Sequence, residues 1–512
     1  MKSRTLTCIT AMTLFTALAL PVRLAAQDNQ NLKPKHHHYK LIDLGTLGGP
    51  NSRFSGNVNN RGIAVGVADT TTADPFYPNA NPNINTFGAD PFVYHAFQWK
   101  HGKLIDLGAL PGANSSWASS ISANGLIAGQ SINGEIDPIS GWPEEIALLW
   151  KNGHIINLGT LGGYESGAGA VNSRGQVTGF AFNAIPDPFS IVYFVFNGFS
   201  NGTQTRAFLW ENGQMQDLGT LGGPDAFAVY INERGQVIGS AYTNATPNLT
   251  TGFPTAEPFL WENGRMIDLG TLGGTSGGVS IVNNRGQVVG QSNLAGDLTA
   301  HAFRWDRGTL TDLGTPGGSF STANDINDAG EVVGGGTTAG DQAFHGFLWR
   351  HGVLTDLGTL SGHDCSNAFV INSKSQVVGQ SFDCNGPGVH AFLWEKGHLT
   401  DLNAFVPPGS DLTLVEAVIN DRGEIFGNSV LPNGDSHAFL LIPCNDEHSD
   451  EEGCQDEGEG TAATIQNSPA PVDQTSSKEN LGSLTPETLF ALRARCTHRY
   501  RGFGPWPRKS FR

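Results

Sequence analysis

Charge is scarce in this sequence. Only 15% of its 512 residues are Asp, Glu, Lys or Arg, against about 25% in an average protein, which excludes a long coiled coil with charged outer faces. Basic residues are the scarcer sign, with 30 Lys and Arg against 47 Asp and Glu and a net charge of −17. Because a general nucleic-acid binder needs a basic surface, we expect no nucleic-acid partner.

Long hydrophobic runs and enzyme signatures are missing as well. Beyond the N-terminus, no apolar stretch approaches the roughly 20 residues that cross a bilayer, so we expect no membrane span. There is no Gly-x-Ser-x-Gly, no His-Glu-x-x-His and no phosphate loop, and no cofactor or metal is predicted. Gly, in contrast, is abundant: its 67 residues are roughly double the ~7% of average proteins. Together with 9% aromatics, this favours a turn-rich, all-β protein.

The N-terminus has the pattern of an export signal. Lys2 and Arg4 precede an apolar segment at 6–22, and the small residues at 25–26 follow it. We predict a signal peptide at 1–26, a lead-in linker at 27–38 and a secreted protein, extracellular or periplasmic. An uncleaved anchor helix is the alternative.

Three phrases recur eight times, so the repeats decide the architecture. They are Asp-Leu-Gly-Thr-Leu-Gly-Gly, Ile-Asn-x-x-Gly-Gln-Val-Val-Gly and His-Ala-Phe-Leu-Trp. The first phrase has its Leu at Leu44, Leu107, Leu158, Leu218, Leu269, Leu313, Leu357 and Leu402. The second ends at Gly66, Gly129, Gly179, Gly239, Gly290, Gly334, Gly379 and Gly427. The third ends at Trp99, Trp150, Trp210, Trp261, Trp305, Trp349 and Trp394, with Leu441 in the eighth place.

Each repeat is predicted to form four short strands. In repeat 7 these are 368–372, 376–381, 390–394 and 398–402. The first two are joined by Asn-x-x-Gly, in which Asn bonds its own backbone and Gly supplies a positive φ, although Ser375 replaces that Gly here. Four antiparallel strands in about 44 residues match a propeller blade of the WD type, which has about 40 to 45.

The ends of the array predict its closure. The repeats begin with a lone fourth strand at 39–45 and end with only three strands, the last at 437–442. Pairing these leftovers completes an eighth blade and removes exposed sheet edges. We therefore predict a closed eight-bladed β-propeller of four-stranded antiparallel blades at 39–443, and a monomer. A seven-bladed or open array is the alternative.

His-Ala-Phe-Leu-Trp together with Asp-Leu-Gly-Thr-Leu-Gly-Gly resembles the bacterial extracellular HAF-repeat proteins over about 39–443. Pro258 departs from the family phrase, and the eighth repeat lacks the Trp. The resemblance implies export and a β-repeat fold. It implies no activity and no catalytic residue.

A residue that recurs in nearly every repeat is expected to be structural. The Trp and Phe of the third strand should fill the space between blades, and the Asp of Asp-Leu-Gly should cap a turn. The recurring His residues lie one per blade, too far apart for coordination at about 2 Å. They are His95, His301, His345, His390 and His437.

The C-terminal segments and the cysteines carry further predictions. An acidic, Ser/Thr/Pro-rich linker is expected at 444–483, and a short helix with a basic tail at 484–512. Export permits disulfides. Cys365 and Cys384 are equidistant from the first hairpin turn of repeat 7 and should pair across its open end. Cys444 and Cys454 are expected to close a small loop, which leaves Cys496 odd.

The connections between strands two and three predict a ligand site. They run from 17 to 29 residues in repeats 1–4 and 10 or 11 in repeats 5–8. Binding commonly resides on loops held by a rigid scaffold, and aromatics among Asn and Asp suit an unknown glycan or protein ligand. The alternative is that they only pack the loops down. The candidates are Phe76, Tyr77, Phe92, Tyr94, Trp142, Phe189, Tyr193, Phe196, Tyr242 and Phe253.

These patterns predict a non-catalytic binding or interaction scaffold, with no catalytic residue. The alternatives are an exported carbohydrate-active propeller enzyme and a purely structural envelope or matrix protein. An active site would use non-repeating titratable residues near the axis, which are scattered over several blades. They are Arg53, Glu165, Asp225, His363, Asp364 and Asp411.

Overall fold

The computed structural model describes residues 39–77, 90–111, 115–196, 202–249, 252–386 and 388–444. The predicted signal peptide and lead-in linker, the acidic linker beyond 444 and the C-terminal helix and tail lie outside these residues. Over the described part, no helix has the length and apolar character needed to cross a membrane.

The described chain is all-β. After β1 (Tyr39–Asp43), repeat 1 consists of β2 (Gly48–Val58), β3 (Ala64–Ala73), β4 (Phe92–Lys100) and β5 (Lys103–Asp106). Repeat 2 consists of β6 (Ser116–Ile121), β7 (Ile127–Ile136), β8 (Pro143–Lys151) and β9 (His154–Asn157). Repeat 3 consists of β10 (Ser166–Val171), β11 (Val177–Pro186), β12 (Thr203–Glu211) and β13 (Gln214–Asp217). Repeat 4 consists of β14 (Ala226–Ile231), β15 (Val237–Pro247), β16 (Pro254–Glu262) and β17 (Arg265–Asp268).

The second half follows the same plan. Repeat 5 consists of β18 (Gly273–Val282), β19 (Val288–Leu294), β20 (Ala300–Asp306) and β21 (Thr309–Gly314). Repeat 6 consists of β22 (Gly317–Ile326), β23 (Val332–Thr338), β24 (Phe344–Arg350) and β25 (Val353–Gly358). Repeat 7 consists of β26 (Cys365–Ile371), β27 (Val377–Phe382), β28 (Val389–Glu395) and β29 (His398–Asp401). Repeat 8 consists of β30 (Thr413–Ile419), β31 (Ile425–Val430) and β32 (Ser436–Pro443). Short helical turns lie at Ile191–Phe196, Ala339–Asp341 and Leu402–Phe405.

Within every repeat the strands pair antiparallel in chain order, as the sequence predicts. Five groups are separate four-stranded sheets, whereas repeats 4, 5 and 6 join into one twelve-stranded sheet. The joins are single parallel bridges, Ala256 to Ser276 and Ala300 to Phe320. The sheet count therefore differs from the eight separate blades that we expected, because the inner strand of one repeat touches the third strand of the repeat before it.

Two features connect the last repeat with the first. β1 pairs antiparallel with β32, with Tyr39 opposite Pro443. In addition, the Asn of Ile-Asn-x-x-Gly donates from Nδ2 to the backbone oxygen of the corresponding residue in the next repeat, at 2.9–3.2 Å. This Asn ladder includes a bond from Asn420 of repeat 8 to Asn59 of repeat 1. In repeat 2, where Ser122 replaces the Asn, Asn124 donates to Ser173 instead.

The third strands form the core between repeats. Their Phe side chains are completely buried, for example Phe208 and Phe259. Phe208 and Trp210 of repeat 3 pack against Ala147 and Leu149 of repeat 2. Each repeat thus covers the apolar face of its neighbour, which confirms the expected role of these aromatics.

The recurring Asp and His residues form pairs at the outer edge. As predicted, the Asp of Asp-Leu-Gly caps its turn, for example through Gly358 N donating to Asp356 Oδ1 at 2.8 Å. The same carboxylate bonds the His Nδ1 eleven residues earlier, as in His345–Asp356 at 2.8 Å. Five repeats have this pair, which explains the recurring His: His95–Asp106, His301–Asp312, His345–Asp356, His390–Asp401 and His437–Asp43.

The predicted disulfide between Cys365 and Cys384 is present, with 5.3 Å between the Cα atoms. Cys444 is also disulfide-bonded. Because the two other described cysteines bond each other, its partner lies outside the described residues. Its pairing with Cys454 stays a prediction.

Candidate functional site

The second strands of repeats 1–4 are longer than those of repeats 5–8. β3, β7, β11 and β15 run for 10 or 11 residues, whereas β19, β23, β27 and β31 have 6 or 7. The extra residues continue the hairpin with the third strand, as in Ile136 opposite Pro143. The long connections are therefore partly extended sheet, and they raise one rim of repeats 1–4.

The predicted aromatic residues are placed along this rim at different depths. Tyr94, Tyr193 and Tyr242 are buried, whereas Tyr77 is 51% exposed. Tyr193 stacks on Phe182 with 4.3 Å between ring centroids. Half-buried residues are Phe76, Phe92, Trp142, Phe189 and Phe253. The side chain of Phe196 is not among those that the structure describes. The three buried tyrosines anchor the rim to the sheets, and a ligand contact by the others stays a prediction.

Carboxylates organise the turns of the rim. Asp74, Asp137 and Asp187 occupy corresponding positions, and each Oδ1 accepts the backbone N–H two residues on at 2.8 Å. Such bonds fix the backbone of a turn. All three Asp residues are buried. Asp137 Oδ2 accepts a further hydrogen bond, whereas Asp187 Oδ2 has no partner among the described residues.

Between repeats 2 and 3, the second oxygen of Asp137 faces two buried groups. It accepts the hydroxyl hydrogen of Tyr193 at 2.8 Å, and the carboxyl of Glu165 is close enough for the two negative charges to interact. Burial first, and then the charge of Asp137, hold the pKa of Glu165 well above its usual value. Burial first, and then the charge of Glu165, also hold the pKa of Glu145 well above its usual value. Glu145 Oε2 and Glu165 Oε1 have no hydrogen-bond partner among the described residues. Burial therefore favours the neutral form of Glu145 and Glu165.

A second carboxyl pair lies between repeats 3 and 4. Asp225 accepts backbone N–H groups of Ile191 and, at 3.1 Å, of Thr205. Burial and the charge of Asp187 raise the pKa of Asp225 to about 8. Asp225 is therefore largely protonated at neutral pH, because burial and a nearby negative charge both disfavour its ionised form.

A third pair of buried carboxylates lies in repeat 1. Asp69 and Asp90 line a cavity of about 10 Å³ together with Asn51, Arg53 and Tyr94, which is room for about one water molecule. Asp69 Oδ2 accepts the side-chain amide of Asn51 at 2.8 Å and its backbone N–H at 3.0 Å. Burial nevertheless raises the pKa of Asp69 to about 6, with Asp90 adding to the increase. This pocket, which we call the Asp69 pocket, combines a near-neutral acid with a second carboxylate.

The sequence found part of this site. Arg53, Glu165 and Asp225 were candidates, and each lies in one of these carboxyl clusters. His363 instead packs edge-on against His390, Asp364 accepts the backbone N–H of Cys384 at 2.6 Å, and Asp411 is exposed. The partners Asp69, Asp137 and Glu145 were missed. The only signal for Asp137 is an Asp-Pro that matches those at Asp74 and Asp187.

Among the described residues, one group of potential metal ligands is close enough together to be considered. It consists of Asp364, Cys365 and Cys384. The two sulfurs are bonded to each other, so they offer no thiolate to a metal.

No protein-family model matches this sequence, and no curated protein matches it. Solved structures do. The β-propeller domain of the Trilobed protease from Pyrococcus furiosus is 8% identical, covering 64% of this chain and 94% of that chain with a TM-score of 0.39. One prolyl endopeptidase is 9% identical, covering 77% and 55% with a TM-score of 0.44. A gluconolactonase from Xanthomonas campestris is 10% identical, covering 64% and 86% with a TM-score of 0.28. This chain spans about half the length of the endopeptidase.

These comparisons correct one prediction. The non-catalytic binding scaffold is contradicted, since the similar structures include peptidase and gluconolactonase propellers, and the enzyme alternative is the better supported one. The likeness is to a propeller-like, all-β architecture. At these identities and TM-scores it brings no particular activity or substrate to this chain.

Proposed function

We propose that this protein is an exported, closed eight-bladed propeller of the HAF-repeat type that acts as a carbohydrate-active enzyme. The observation that carries the catalytic part is Asp69, a carboxyl of pKa about 6 beside Asp90 in a pocket. Perturbed carboxyls in clefts are candidate catalytic groups. Support for the closed ring comes from the pairing of β1 with β32 and from the Asn ladder between repeats 8 and 1.

Glycoside hydrolysis commonly uses a pair of carboxyl groups. One carboxylic acid protonates the leaving oxygen, and the other carboxylate acts as base or nucleophile. Asp69, protonated near pH 6, takes the first role, and Asp90 takes the second. The cavity between them admits the water that hydrolysis consumes. Arg53, which also lines it, counters negative charge there.

The substrate class is inferred from the rim. Tyr77 is exposed and lies near Asp74, whose backbone oxygen accepts its N–H at 3.3 Å. Half-buried Phe76 and Phe92 belong to the same connection. Aromatic faces with nearby amides and carboxylates are suited to sugar rings and their hydroxyls. Export is supported by the signal-like N-terminus and by a buried disulfide bond, which oxidising compartments permit.

The experiment is a panel of purified polysaccharides incubated with the full chain, with products identified by mass spectrometry. We expect release of oligosaccharides, a loss of about 10²-fold or more in Asp69→Asn, and a rate that falls above pH ~6, because removal of a general acid typically costs 10²- to 10⁴-fold. Asp297→Asn is the matched control. Asp297 Oδ1 likewise accepts a backbone N–H, that of Thr275, but its pKa is lowered by such hydrogen bonds despite burial.

Full activity in Asp69→Asn would contradict the catalytic assignment. No product from any polysaccharide, with the wild-type chain correctly folded by circular dichroism, would favour the purely structural alternative.

A further inference from the structure

A second pocket lies between repeats 5 and 6, at the end of the strands where the Asn-x-x-Gly turns are found. Its volume is about 370 Å³, within the ~300–1,000 Å³ range of small-ligand sites. We call it the Arg304 pocket. Its lining includes Arg304 of β20, Ala329 and Glu331 of the repeat 6 turn, and Trp349, Arg350 and His351 at the repeat 6 hairpin.

The pocket exists because two positions depart from the repeat. At the position of Arg304, six repeats have Leu, namely Leu149, Leu209, Leu260, Leu348, Leu393 and Leu440. At the position of Ala329, six repeats have a long basic residue, namely Arg61, Arg174, Arg234, Arg285, Lys374 and Arg422. Repeats 5 and 6 therefore place a cation where a Leu packs elsewhere, and remove a side chain from the turn beside it.

Arg304 is held in place but lacks strong partners. Its guanidinium lies over the Trp349 ring, 5.0 Å from the centroid, and its side chain is 23% exposed. Its Nε is buried without a hydrogen-bond partner among the described residues. The nearest paired carboxylate oxygen, Asp306 Oδ2, is 3.8 Å from Nη2 and already accepts from Gln287 at 2.9 Å.

The other carboxylate of the pocket is engaged as well. Glu331 Oε2 accepts from Asn327 Nδ2 at 2.8 Å and from Ser375 Oγ at 2.6 Å. Its Oε1 is 4.0 Å from Arg350 Nη1, beyond hydrogen-bond distance. Two guanidinium groups thus face one pocket whose own acids are largely committed elsewhere.

We propose that the Arg304 pocket binds a small organic carboxylate. A guanidinium offers parallel N–H donors that match the two oxygens of a carboxylate. The ring of Trp349 fixes the plane of the Arg304 guanidinium from one side, so these donors are already oriented before a ligand arrives. A ligand carboxylate would supply the buried Nε with the acceptor that the protein does not provide, with Arg350 closing the mouth.

The competing explanation is that Arg304 only fills space left by Ala329. The two explanations predict opposite effects of Arg304→Leu, which restores the residue of six other repeats. If Arg304 is a filler, this change destabilises the protein. If it is a binding residue held at a cost, because a buried donor without an acceptor is unfavourable, the change leaves the urea midpoint unchanged or raises it.

The test titrates the full chain with D-galacturonate, and with D-galactose as its neutral counterpart, by isothermal calorimetry. We expect galacturonate to bind at least tenfold more tightly than galactose, and Arg304→Leu to abolish that difference. Ala329→Arg, which fills the pocket, should do the same. Arg307→Leu is the control, since Arg307 is 89% exposed and outside the lining.

Two results would overturn the proposal. One is equal binding of galacturonate by wild type and a folded Arg304→Leu variant. The other is the absence of galacturonate binding at ligand concentrations of about 10 mM, which corresponds to roughly the weakest affinity that such a titration detects. Neither outcome bears on the Asp69 pocket, whose catalytic test is separate.

Discussion

Repeats 1–4 and repeats 5–8 share one strand plan but hold their connections between strands two and three by different means. In repeats 1–4, buried tyrosines and buried carboxyls of raised pKa tie long connections to the sheets. In repeats 5–8 the connections are short, and that of repeat 7 is fixed by the Cys365–Cys384 bond. The additional aromatic and acidic residues of the first half are therefore largely part of the internal structure. The exposed ring of Tyr77 and the small cavity of the Asp69 pocket are what remain for a ligand.

The greatest loss of stability is expected when a buried tyrosine that anchors the rim of repeats 1–4 is removed. Tyr193→Ala removes a buried ring that stacks on Phe182 and donates to Asp137. Deletion of a buried aromatic costs about 3–5 kcal/mol, measured here as the free energy of unfolding in urea. Tyr77→Ala, at an exposed position of the same rim, should change it by less than about 0.5 kcal/mol. Similar losses in both variants would contradict the assignment of Tyr193 as an anchor.

A smaller loss of stability is expected when the disulfide bond of repeat 7 is removed. Cys365→Ser with Cys384→Ser opens a bond spanning 19 residues, and loss of such a bond costs about 2–4 kcal/mol. Thermal unfolding without reductant measures this. Adding dithiothreitol to the wild type should lower its melting temperature towards that of the double variant. If the wild type keeps its melting temperature after the Cys365–Cys384 bond has been fully reduced, the bond does not stabilise the connection.

A third change tests the raised pKa of Asp225 between repeats 3 and 4. The pKa of Asp225 is about 8 when folded and near 4 when unfolded, so the folded state binds the extra proton. Stability should therefore fall as the pH rises from about 4 to 8. Asp187→Asn keeps an oxygen for Phe189 N and offers Asp225 an amide donor, as Asn248 stands at the corresponding position in repeat 4. We expect it to raise stability at pH 8 by about 1–2 kcal/mol and to have less effect at pH 5. Urea titrations at the two pH values measure both. An equal effect at pH 5 and 8 would contradict the raised pKa of Asp225.

The smallest change in stability is expected at the His–Asp pairs of the outer edge. Repeat 4 has Glu257 where five repeats have His, and burial together with Asp268 raises the pKa of Glu257 to about 7. Because this folded pKa exceeds the unfolded value, stability contributed by the neutral acid is lost as the pH rises towards 7. Glu257→His should restore a His–Asp pair and add about 0.5–1 kcal/mol at pH 6, the range for partly exposed pairs. The reverse change, His345→Glu, should subtract a similar amount.

The His–Asp pairs contribute to stability only within a range of pH. Hydrogen bonding to Asp356 raises the pKa of His345, so its contribution is present below the unfolded value and lost as the pH rises through the folded one. Although burial alone raises the pKa of Asp356, bonds from His345 and Gly358 lower it, so its contribution disappears in acid.

Local features were predictable from the sequence and distant ones were not. The strands of repeat 7 and the Cys365–Cys384 bond follow from phrases, turns and spacing within some forty residues. Ser375, which replaces Gly in its turn, does adopt a positive φ of 59°. The carboxyl pairs escaped prediction because their members belong to different repeats, as in Asp137 with Glu165, and because burial, which sets their protonation, is not visible in composition. The single parallel bridges between repeats 4, 5 and 6 also have no sequence signal.

The pairing of β1 with β32 has a consequence for how the gene can be rearranged. Because Tyr39 lies opposite Pro443, a short peptide linker joins the two ends of the repeats, and a new start can be opened at the exposed hairpin of Lys396 and Gly397. Such a permuted chain translates the same repeats in another order and recovers every strand pair. The order of synthesis is then separable from the final architecture, and a single cut position decides which repeat leaves the ribosome first.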